Sequence, residues 1–312
     1  MKRRVLALLM AAAMTVGMMG CGAVAIDGEG ESKETSSSEN NGSGSVGLAI
    51  STLNNPFFVK LSEGAQAAAD EAGVKLITVD AGDDAAKQTS DVEDLISKNV
   101  SVLIVNPVDS DAIAPAVKDA VAKGLKVISV DRVVNGVDVD CQIASDNVAG
   151  AEMATEYLAE LVGEGAKVAE LQGVPGASAT IDRGEGFHNV ADEKLDVVSS
   201  QTANFNRAEG MTVMENVLQS ASDVKGVFAH NDEMALGALE AVAGKDIQIV
   251  GFDATDDAVA AVKDGKMAAT VAQQPDKMGE TAVNTAISLI NGESVEKSIP
   301  VEVTLITKEN AE

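Results

Sequence analysis

The chain is short of aromatic, cysteine, histidine and basic residues. Its 312 residues include no tryptophan, six phenylalanines and one tyrosine. Two cysteines cannot form a disulfide scaffold, and two histidines leave few ligands for a zinc site. Lys and Arg number 23 against 49 Asp and Glu, whereas a nucleic-acid-binding protein needs a basic surface that displaces counterions. The composition therefore disfavours a disulfide-rich domain, a zinc protein and a nucleic-acid-binding protein.

Motifs of the common enzyme classes are missing as well. The sequence has no G-x-S-x-G nucleophile elbow, no phosphate-binding P-loop and no cluster of metal ligands. Hydrophobic residues make up 46% of the chain and are spread over most of it, which leaves room for one large domain or two of ordinary size. We therefore expect a folded binding protein with no catalytic residue, no metal and no cofactor.

The N-terminus has the features of a bacterial secretion signal. The basic segment Met1-Lys-Arg-Arg precedes a short apolar run, and small residues lead to Cys21. The residues before Cys21 resemble a lipobox, with Met18 where leucine is preferred, so we expect residues 1–20 to be removed and Cys21 to carry a lipid. The alternative is an uncleaved transmembrane anchor, because the apolar run is about long enough to span a bilayer. Either anchor holds the protein outside the cytoplasmic membrane.

Residues 21–45 form the predicted linker. From Asp27 to Ser45 the chain consists mainly of glycine, glutamate, serine and asparagine. Such a segment has no apolar side chains to bury, so it favours an extended, flexible chain. We expect a tether between the lipid on Cys21 and a folded part that begins at Val46.

From Val46 onward, short β-rich apolar segments alternate with amphipathic segments of helical period. This alternation is typical of a parallel sheet covered by helices on both faces. Two such series occur, one on each side of Asp146, so we predict two similar α/β domains with doubly wound parallel sheets. The predicted strands are 46–52, 75–80, 102–106, 126–131, 167–172, 197–203, 226–230, 247–252 and 268–272. The predicted helices include 56–72, 85–98, 111–123, 147–161, 207–219, 233–242 and 256–263.

Phenylalanines and planar polar side chains gather where the predicted strands end. In an open parallel sheet, ligands bind beyond the carboxyl ends of the strands. Four of the six phenylalanines fall there, and Arg183 comes just past a strand end. Aromatic rings can cover the C–H faces of a sugar, while amides, carboxylates and guanidiniums hydrogen-bond its hydroxyls. The pattern indicates one site for a small polyol, built by both halves of the chain.

Several segments of the sequence closely resemble the ribose-binding family of bacterial proteins, the substrate-binding components of sugar ABC importers. The resemblance runs from about Val46 to Thr307. It implies the type I periplasmic binding fold, in which two Rossmann-like lobes are joined by three hinge strands and close on the ligand. The similar segments are Ser51-Thr-Leu-Asn-Asn-Pro-Phe-Phe, Ile104-Val-Asn-Pro-Val-Asp-Ser-Asp, Ile143-Ala-Ser-Asp-Asn, Arg183-Gly-Glu-Gly-Phe, Asn231-Asp-Glu-Met-Ala-Leu-Gly and Val250-Gly-Phe-Asp.

The resemblance also implies how the chain divides between the lobes. The N-terminal lobe takes residues 46–145 and 274–302, and the C-terminal lobe takes residues 146–273 and 303–312. The chain would then pass between the lobes three times. The implied hinges lie near Ser145-Asp146, Gln273-Gln274 and Glu302-Val303.

The resemblance further implies which side chains hold the ligand. Phenylalanines would sandwich the sugar ring, and Asp and Arg side chains would hold its hydroxyls. The sequence departs from the family at His230, where glutamine is expected, and at Asn206, which replaces an acidic residue. The implied ligand-binding residues are Ser51, Asn55, Phe57, Phe58, Asn106, Asp131 and Arg132 in the N-terminal lobe, and Arg183, Phe205, Asn231, Phe252 and Asp253 in the C-terminal lobe, with Gln273 at a hinge.

The implied function is capture of a monosaccharide, ribose first, and its delivery to an ABC permease and its ATPase. We expect a monomer that binds no nucleic acid and contacts the membrane only through its anchor. Allose and an autoinducer-2 type sugar are alternative ligands, and presentation of the sugar to a chemotaxis or signalling receptor is an alternative role. A transcription repressor with the same two-lobe fold would need a basic helix-turn-helix at its N-terminus in place of a secretion signal.

Overall fold

The structure, a computed structural model, describes residues 44–311. The predicted signal peptide (1–20), the lipidation site Cys21 and all but the last two residues of the predicted linker (21–45) lie outside the described residues. Within the described part, no helix is both long enough and apolar enough to cross a bilayer.

The described residues form two six-stranded sheets. The first sheet contains β1 (Ser45–Ile50), β2 (Lys75–Asp80), β3 (Val102–Val105), β4 (Lys126–Val130), β5 (Cys141–Ser145) and β11 (Ser298–Val301). The second contains β6 (Lys167–Gln172), β7 (Asp196–Thr202), β8 (Gly226–Ala229), β9 (Gln248–Asp253), β10 (Ala269–Ala272) and β12 (Thr304–Thr307). The first sheet has the order β11-β5-β4-β3-β1-β2, and all of its strand pairs are parallel. The second has the order β12-β10-β9-β8-β6-β7, in which β12 alone runs antiparallel to its neighbour.

Helices cover both faces of each sheet, so each sheet has two hydrophobic cores. The helices are α1 (Pro56–Ala72), α2 (Ala85–Ser97), α3 (Ala114–Ala122), α4 (Asn147–Val162), α5 (Ser178–Lys194), α6 (Arg207–Ser220), α7 (Asp232–Ala241), α8 (Asp256–Lys263) and α9 (Pro275–Ile290). In the first sheet, one core packs against α1 and α9 and the other against α2 and α3. In the second, one core packs against α6, α7 and α8 and the other against α4 and α5. This arrangement confirms the predicted fold class of two doubly wound parallel-sheet lobes.

The chain passes between the two sheets three times. It crosses after β5, after β10 and in the short link between β11 and β12. The second crossing returns the chain to the first sheet, where α9 packs against α1. The lobe limits given above, and the use of these crossings as hinges, stay predictions.

Three strands and two helices were not assigned from the sequence. The missed strands are short: β5 alternates buried and half-buried residues, and β11 and β12 have no fully buried residue. The buried apolar run that identifies a central parallel strand is therefore absent from them. The two missed helices are α5, which follows β6, and α9, which follows the second crossing. Because α5 was missed, Arg183 was placed just past a strand end, whereas it lies in the second turn of α5.

Reciprocal glycines allow α1 and α9 to approach each other closely. A Cβ atom at Gly279 of α9 would lie 2.0 Å from the backbone oxygen of Leu61, and one at Gly64 of α1 would lie 2.1 Å from that of Asp276. Real Cβ atoms do not approach backbone oxygens this closely, and neither oxygen can move without moving its helix. The contact fixes α9 to the first lobe after the second crossing.

Gly279→Ala is therefore expected to destabilise the protein, although alanine favours a helix over glycine. Overpacking of this kind lowers the free energy of unfolding by about 1–3 kcal/mol. Urea denaturation of the variant and of Glu280→Ala, an exposed neighbour on α9, measures the effect. The control should change stability by less than about 0.5 kcal/mol, and equal stability of the two variants would contradict the close packing of α1 on α9.

Candidate functional site

The carboxyl ends of the two sheets face one cleft. Ten of the thirteen residues implied by the resemblance line it, and they come from both lobes. Ala179, in the first turn of α5, lines the cleft too and was not predicted. The ten lining residues are Asn55, Phe57, Phe58, Asp131, Arg132, Arg183, Phe205, Asn231, Asp253 and Gln273.

The start of α1 brings two phenylalanines to the cleft. Asn55 is the N-cap residue, and its Oδ1 accepts a hydrogen bond of 2.9 Å from the backbone N–H of Phe57. Pro56 occupies the first helical position, where its missing N–H costs nothing. Phe57 and Phe58 therefore lie in the first turn, with their ring centroids 5.1 Å apart and the rings nearly perpendicular.

Asp131 and Arg132 follow β4 and form the polar wall of the first lobe. Asp131 Oδ2 accepts a hydrogen bond of 3.1 Å from Asn106 Nδ2, and Arg132 Nε lies 3.6 Å from the same oxygen. Arg132 Nη1 donates to the backbone oxygen of Pro107 at 2.8 Å. The Arg132 guanidinium lies 5.1 Å from the centroid of the Phe58 ring and 5.3 Å from that of Phe205. It therefore contacts aromatic groups of both lobes.

Arg183 is the corresponding cation of the second lobe. Its Nε donates to Asn147 Oδ1 at 2.8 Å, and its Nη1 donates to the backbone oxygen of His230 at 2.6 Å. The guanidinium lies 3.9 Å from the centroid of the Phe252 ring and 3.8 Å from Asp253 Oδ1. Asn147 and His230 were not among the predicted site residues. The helix that begins at Asn147 was predicted, but the strand β5 before it was not, so Asn147 was not recognised as following a strand end.

Three of the predicted residues lie behind the cleft wall. Phe252 belongs to β9, has no exposed surface, and packs its ring against Gly150, where a Cβ atom would come within 2.8 Å of it. Its ring supports the Arg183 guanidinium from behind, whereas a ring that contacts the ligand was expected from the sequence. Asn106 supports Asp131 and accepts a hydrogen bond from the backbone N–H of Ser51. Ser51 is fully buried as well.

The remaining lining residues of the second lobe are held by short contacts. Gln273 Nε2 donates to Asp253 Oδ1 at 2.7 Å. The Phe205 ring lies directly on Gly173, because a Cβ atom there would be 2.1 Å from the ring. Asn231 is the N-cap residue of α7, and its Oδ1 accepts from the backbone N–H of Met234 at 3.0 Å.

Backbone strain is concentrated at this cleft. Asp131, Phe205 and Asp253 have φ angles of 65°, 57° and 122°, in a region that residues with a side chain rarely adopt. Asn204 and Ala254, each next to one of these residues, also have positive φ. Such conformations cost about 1–3 kcal/mol each and persist only where the surroundings enforce them, which is common at binding sites.

The cleft buries two carboxylates and two guanidiniums. Burial raises the pKa of Asp131, and the positive charges of Arg132 and Arg183 oppose the shift. Burial also raises the pKa of Asp253 well above its usual value, again against the charge of Arg183. Burial lowers the pKa of both arginines, but a guanidinium keeps its proton in proteins. Burial of charges requires opposite charges nearby. Arg132 fills this role for Asp131, and Arg183 fills it for Asp253.

Two polar atoms in the cleft lack a hydrogen-bond partner among the described residues. They are Arg132 Nε, a donor, and Gln273 Oε1, an acceptor, and both are buried. Buried polar atoms without partners are costly and rare. The cavity between the lobes measures about 230 Å³, and the four charged side chains that line it are at most 7% exposed. The two lobes thus enclose these side chains and separate them from solvent.

Comparison with known proteins places the chain in a family. Residues 46–294 match the family described as the periplasmic binding protein domain, and the chain belongs to this family. Family membership implies an extracytoplasmic solute-binding role rather than catalysis. The chain is 54% identical over 266 residues to the Ribose import binding protein RbsB of Bacillus subtilis (strain 168), covering 85% of this chain and 87% of that protein. It is 48% identical over 269 residues to the protein of the same name from Escherichia coli (strain K12), covering 85% and 91%.

Solved structures show the same fold with small polyols bound. An ABC transporter solute binding protein from Bacillus halodurans C-125 with bound myo-inositol has a TM-score of 0.83 and 34% identity, covering 88% of this chain and 97% of that one. A periplasmic solute binding protein of an ABC transporter from Actinobacillus succinogenes 130z with bound D-allose has a TM-score of 0.79 and 30% identity, covering 86% and 99%.

Asp232, next to Asn231, is buried under the cleft. Its carboxylate accepts hydrogen bonds from the backbone N–H and hydroxyl of Thr255 and from the hydroxyl of Thr270. Burial raises the pKa of Asp232 to about 7, although these hydrogen bonds oppose the shift. An unfolded chain releases this proton near pH 4.

The stability of the protein should therefore fall as pH rises. Below about pH 4 the folded and unfolded chains both hold the Asp232 proton, and between about 4 and 7 only the folded chain does. From pH 5 to pH 8 this group should lower the free energy of unfolding by roughly 3 kcal/mol. Asp232→Asn cannot titrate, so urea denaturation should show a shallower pH dependence for the variant. An identical dependence in both proteins would contradict the pKa assignment.

Proposed function

We propose that this protein captures a monosaccharide, D-ribose first, outside the cytoplasmic membrane and delivers it to an ABC permease driven by its ATPase. The observation that carries the proposal is that each lobe contributes one Asp–Arg pair to a single buried cleft, which aromatic rings also line. The similarity to ribose import binding proteins over 85% of the chain supports the choice of ribose.

The lining groups have the chemistry that a sugar requires. Each hydroxyl can donate one hydrogen bond and accept up to two, and the cleft offers carboxylates as acceptors and guanidiniums as donors. Arg132 Nε and Gln273 Oε1 are free to bind hydroxyls. The rings of Phe57, Phe58 and Phe205 offer flat faces for the C–H surfaces of the sugar ring.

Ligand entry requires the lobes to separate. The charged side chains that line the cleft are at most 7% exposed, so a sugar in solution cannot reach them while the lobes are closed. We infer that the lobes open, that the sugar binds, and that closure around it brings both sets of side chains onto its hydroxyls. Because the sugar contacts both lobes only when they meet, binding shifts the population toward the closed state. The permease can then distinguish loaded from empty protein by its shape.

The proposal includes the predicted anchor and assembly. The signal peptide would be removed before Cys21, and the lipid on Cys21 would hold a monomer at the membrane through the linker. The same protein would act as a carrier without catalysis, metal or cofactor. Presentation of the loaded protein to a chemotaxis or signalling receptor is compatible with transport.

Isothermal titration calorimetry against D-ribose, D-allose, myo-inositol and autoinducer-2 tests the ligand. We expect D-ribose to bind most tightly. Asp253→Asn should weaken ribose binding about 10- to 100-fold, because it removes a buried carboxylate that faces Arg183. Asp264→Asn, at an exposed carboxylate of the same lobe, is the matched control and should bind like the wild type.

The outcomes separate the alternatives. Tighter binding of D-allose or autoinducer-2 would replace ribose as the ligand. If Asp253→Asn and Asp264→Asn bind ribose equally, the cleft is not the sugar site. If no sugar of the panel binds, the proposal of a sugar carrier is wrong.

Contacts outside the cleft also hold the lobes together. The backbone N–H of Ser110, after β3, donates to the backbone oxygen of Gly176 at 2.9 Å, and Ser178 Oγ accepts from the backbone N–H of Val133 at 3.1 Å. A Cβ atom at Gly176 would lie 1.9 Å from Asp109 Oδ2. Asp109 cannot turn away freely, because its other oxygen accepts two backbone hydrogen bonds. The first lobe therefore meets Gly176 with no room for a side chain.

Gly176→Ala should weaken ribose binding without destabilising the ligand-free protein. The added methyl group clashes with Asp109 only when the lobes are closed, and an overpacking cost of about 1–3 kcal/mol corresponds to roughly a 5- to 150-fold loss of affinity. Calorimetry gives the affinity, and thermal denaturation without sugar gives the stability. The double variant Asp109→Ala/Gly176→Ala should recover part of the lost affinity. Unchanged affinity in Gly176→Ala would contradict closure as the binding step.

A further inference from the structure

Both histidines of the sequence contact one buried carboxylate, that of Glu170 on β6. Glu170 Oε1 lies 2.8 Å from His230 Nε2, and Glu170 Oε2 lies 3.4 Å from His188 Nε2. Gln172 Nε2 also donates to Glu170 Oε2 at 2.9 Å. These three ionisable residues, Glu170, His188 and His230, form what we call the histidine cluster.

The histidine cluster extends from the core to the surface. Glu170 and His230 have no exposed surface, whereas the side chain of His188 is 40% exposed. His230 Nδ1 is buried and has no hydrogen-bond partner among the described residues. Burial of a charged carboxylate beside a titratable ring is costly unless hydrogen bonds or an opposite charge compensate the lost hydration. Since the proposed binding mechanism uses none of these side chains, the burial of Glu170 and His230 needs another explanation.

The cluster adjoins the residue that holds Arg183. The backbone oxygen of His230 accepts the 2.6 Å hydrogen bond from Arg183 Nη1, and Asn231, which lines the cleft, follows directly. On α5, Gly184 comes next to Arg183, and a Cβ atom there would lie 3.6 Å from Glu170 Oε1 and 3.7 Å from His230 Cε1. The turn of α5 that carries Arg183 therefore rests on the cluster. A change within the cluster can move the guanidinium.

We propose that Glu170 and the two histidines are positioning residues for Arg183, and that sugar affinity therefore depends on the protonation of the histidine cluster. This inference rests on the proposed sugar site. It assigns a role to side chains that do not touch the ligand.

The direction of the effect follows from the surrounding charges. Burial lowers the pKa of His230, and the nearby Arg183 and His188 lower it further, while Glu170 opposes them. Partial burial opposes protonation of His188, but Asp192 and Glu170 raise its pKa on balance. Burial acts against the charge of Glu170, but the hydrogen bond from His230 lowers its pKa on balance.

At neutral pH, Glu170 is thus charged and His230 is neutral. Acidification adds protons to His188 and then to His230, which places a positive charge beside the buried guanidinium of Arg183. Closure of the cleft over the sugar makes the added positive charge on the histidines more unfavourable. Protonation of the histidines and sugar binding therefore oppose each other, so the sugar binds more weakly at acid pH.

Calorimetry with D-ribose at pH 7.5 and pH 5.5 tests the proposal on the full chain. The wild type should bind D-ribose at least about fivefold more weakly at pH 5.5 than at pH 7.5. In the double variant His188→Gln/His230→Gln, the glutamine amide can still donate to Glu170 but cannot titrate, so the ratio of the two affinities should shrink to less than about twofold. Asp131, Asp232 and Asp253 are present in both proteins, so the difference between the proteins isolates the histidines. Equal ratios in the two proteins would overturn the proposal.

A second measurement does not depend on the sugar. In nuclear magnetic resonance spectra of the ligand-free protein, the Arg183 Nε–H signal should shift as the histidines titrate, and the shift should vanish in the double variant. An Arg183 signal that is unchanged between pH 7.5 and pH 5.5 would refute the positioning role. If the signal shifts while no sugar binds at either pH, the histidine cluster acts on Arg183 and the sugar assignment is the part that fails.

Discussion

The structure depends on two Asp–Arg pairs that are buried in one cleft and come from opposite lobes. Removing charges from water is expensive, and the cost is recovered only when each charge meets an opposite charge and hydrogen-bond partners. Asp131 and Arg132 provide one pair and Arg183 and Asp253 the other. A neutral ligand with many hydroxyls can bind between these groups without leaving any charge unpaired, which suits the site to a polyol.

A second layer of residues fixes these four side chains. Asn106 holds Asp131, Asn147 and the backbone oxygen of His230 hold Arg183, and the Phe252 ring lies against its guanidinium. The left-handed backbone at Asp131, Phe205 and Asp253 is a further sign that the cleft is held by its surroundings rather than by local preference. The layer behind the cleft therefore determines the geometry with which the lobes meet a ligand.

Much of this arrangement could be predicted from the sequence, because the position of a ligand site on a parallel sheet follows a simple rule. Continuous apolar runs mark central strands such as β3, β8 and β9, and whatever follows their carboxyl ends lies at the ligand edge. The rule fails where the run is weak, as at β5, and where the residue lies on a helix, as Arg183 does. It also cannot tell whether a ring at a strand end faces the cleft or the core, and Phe252 faces the core.

The amino-acid sequence by itself determined the fold class and the composition of the cleft, because strand and helix periodicity and the residues at strand ends are local properties. The tertiary structure decided which of those residues line the cleft and which support them. It also brought His188, Glu170 and His230 together from α5, β6 and the end of β8, residues up to 60 positions apart. Contacts of that kind depend on how two sheets and their covering helices pack, and no local pattern in the chain encodes them.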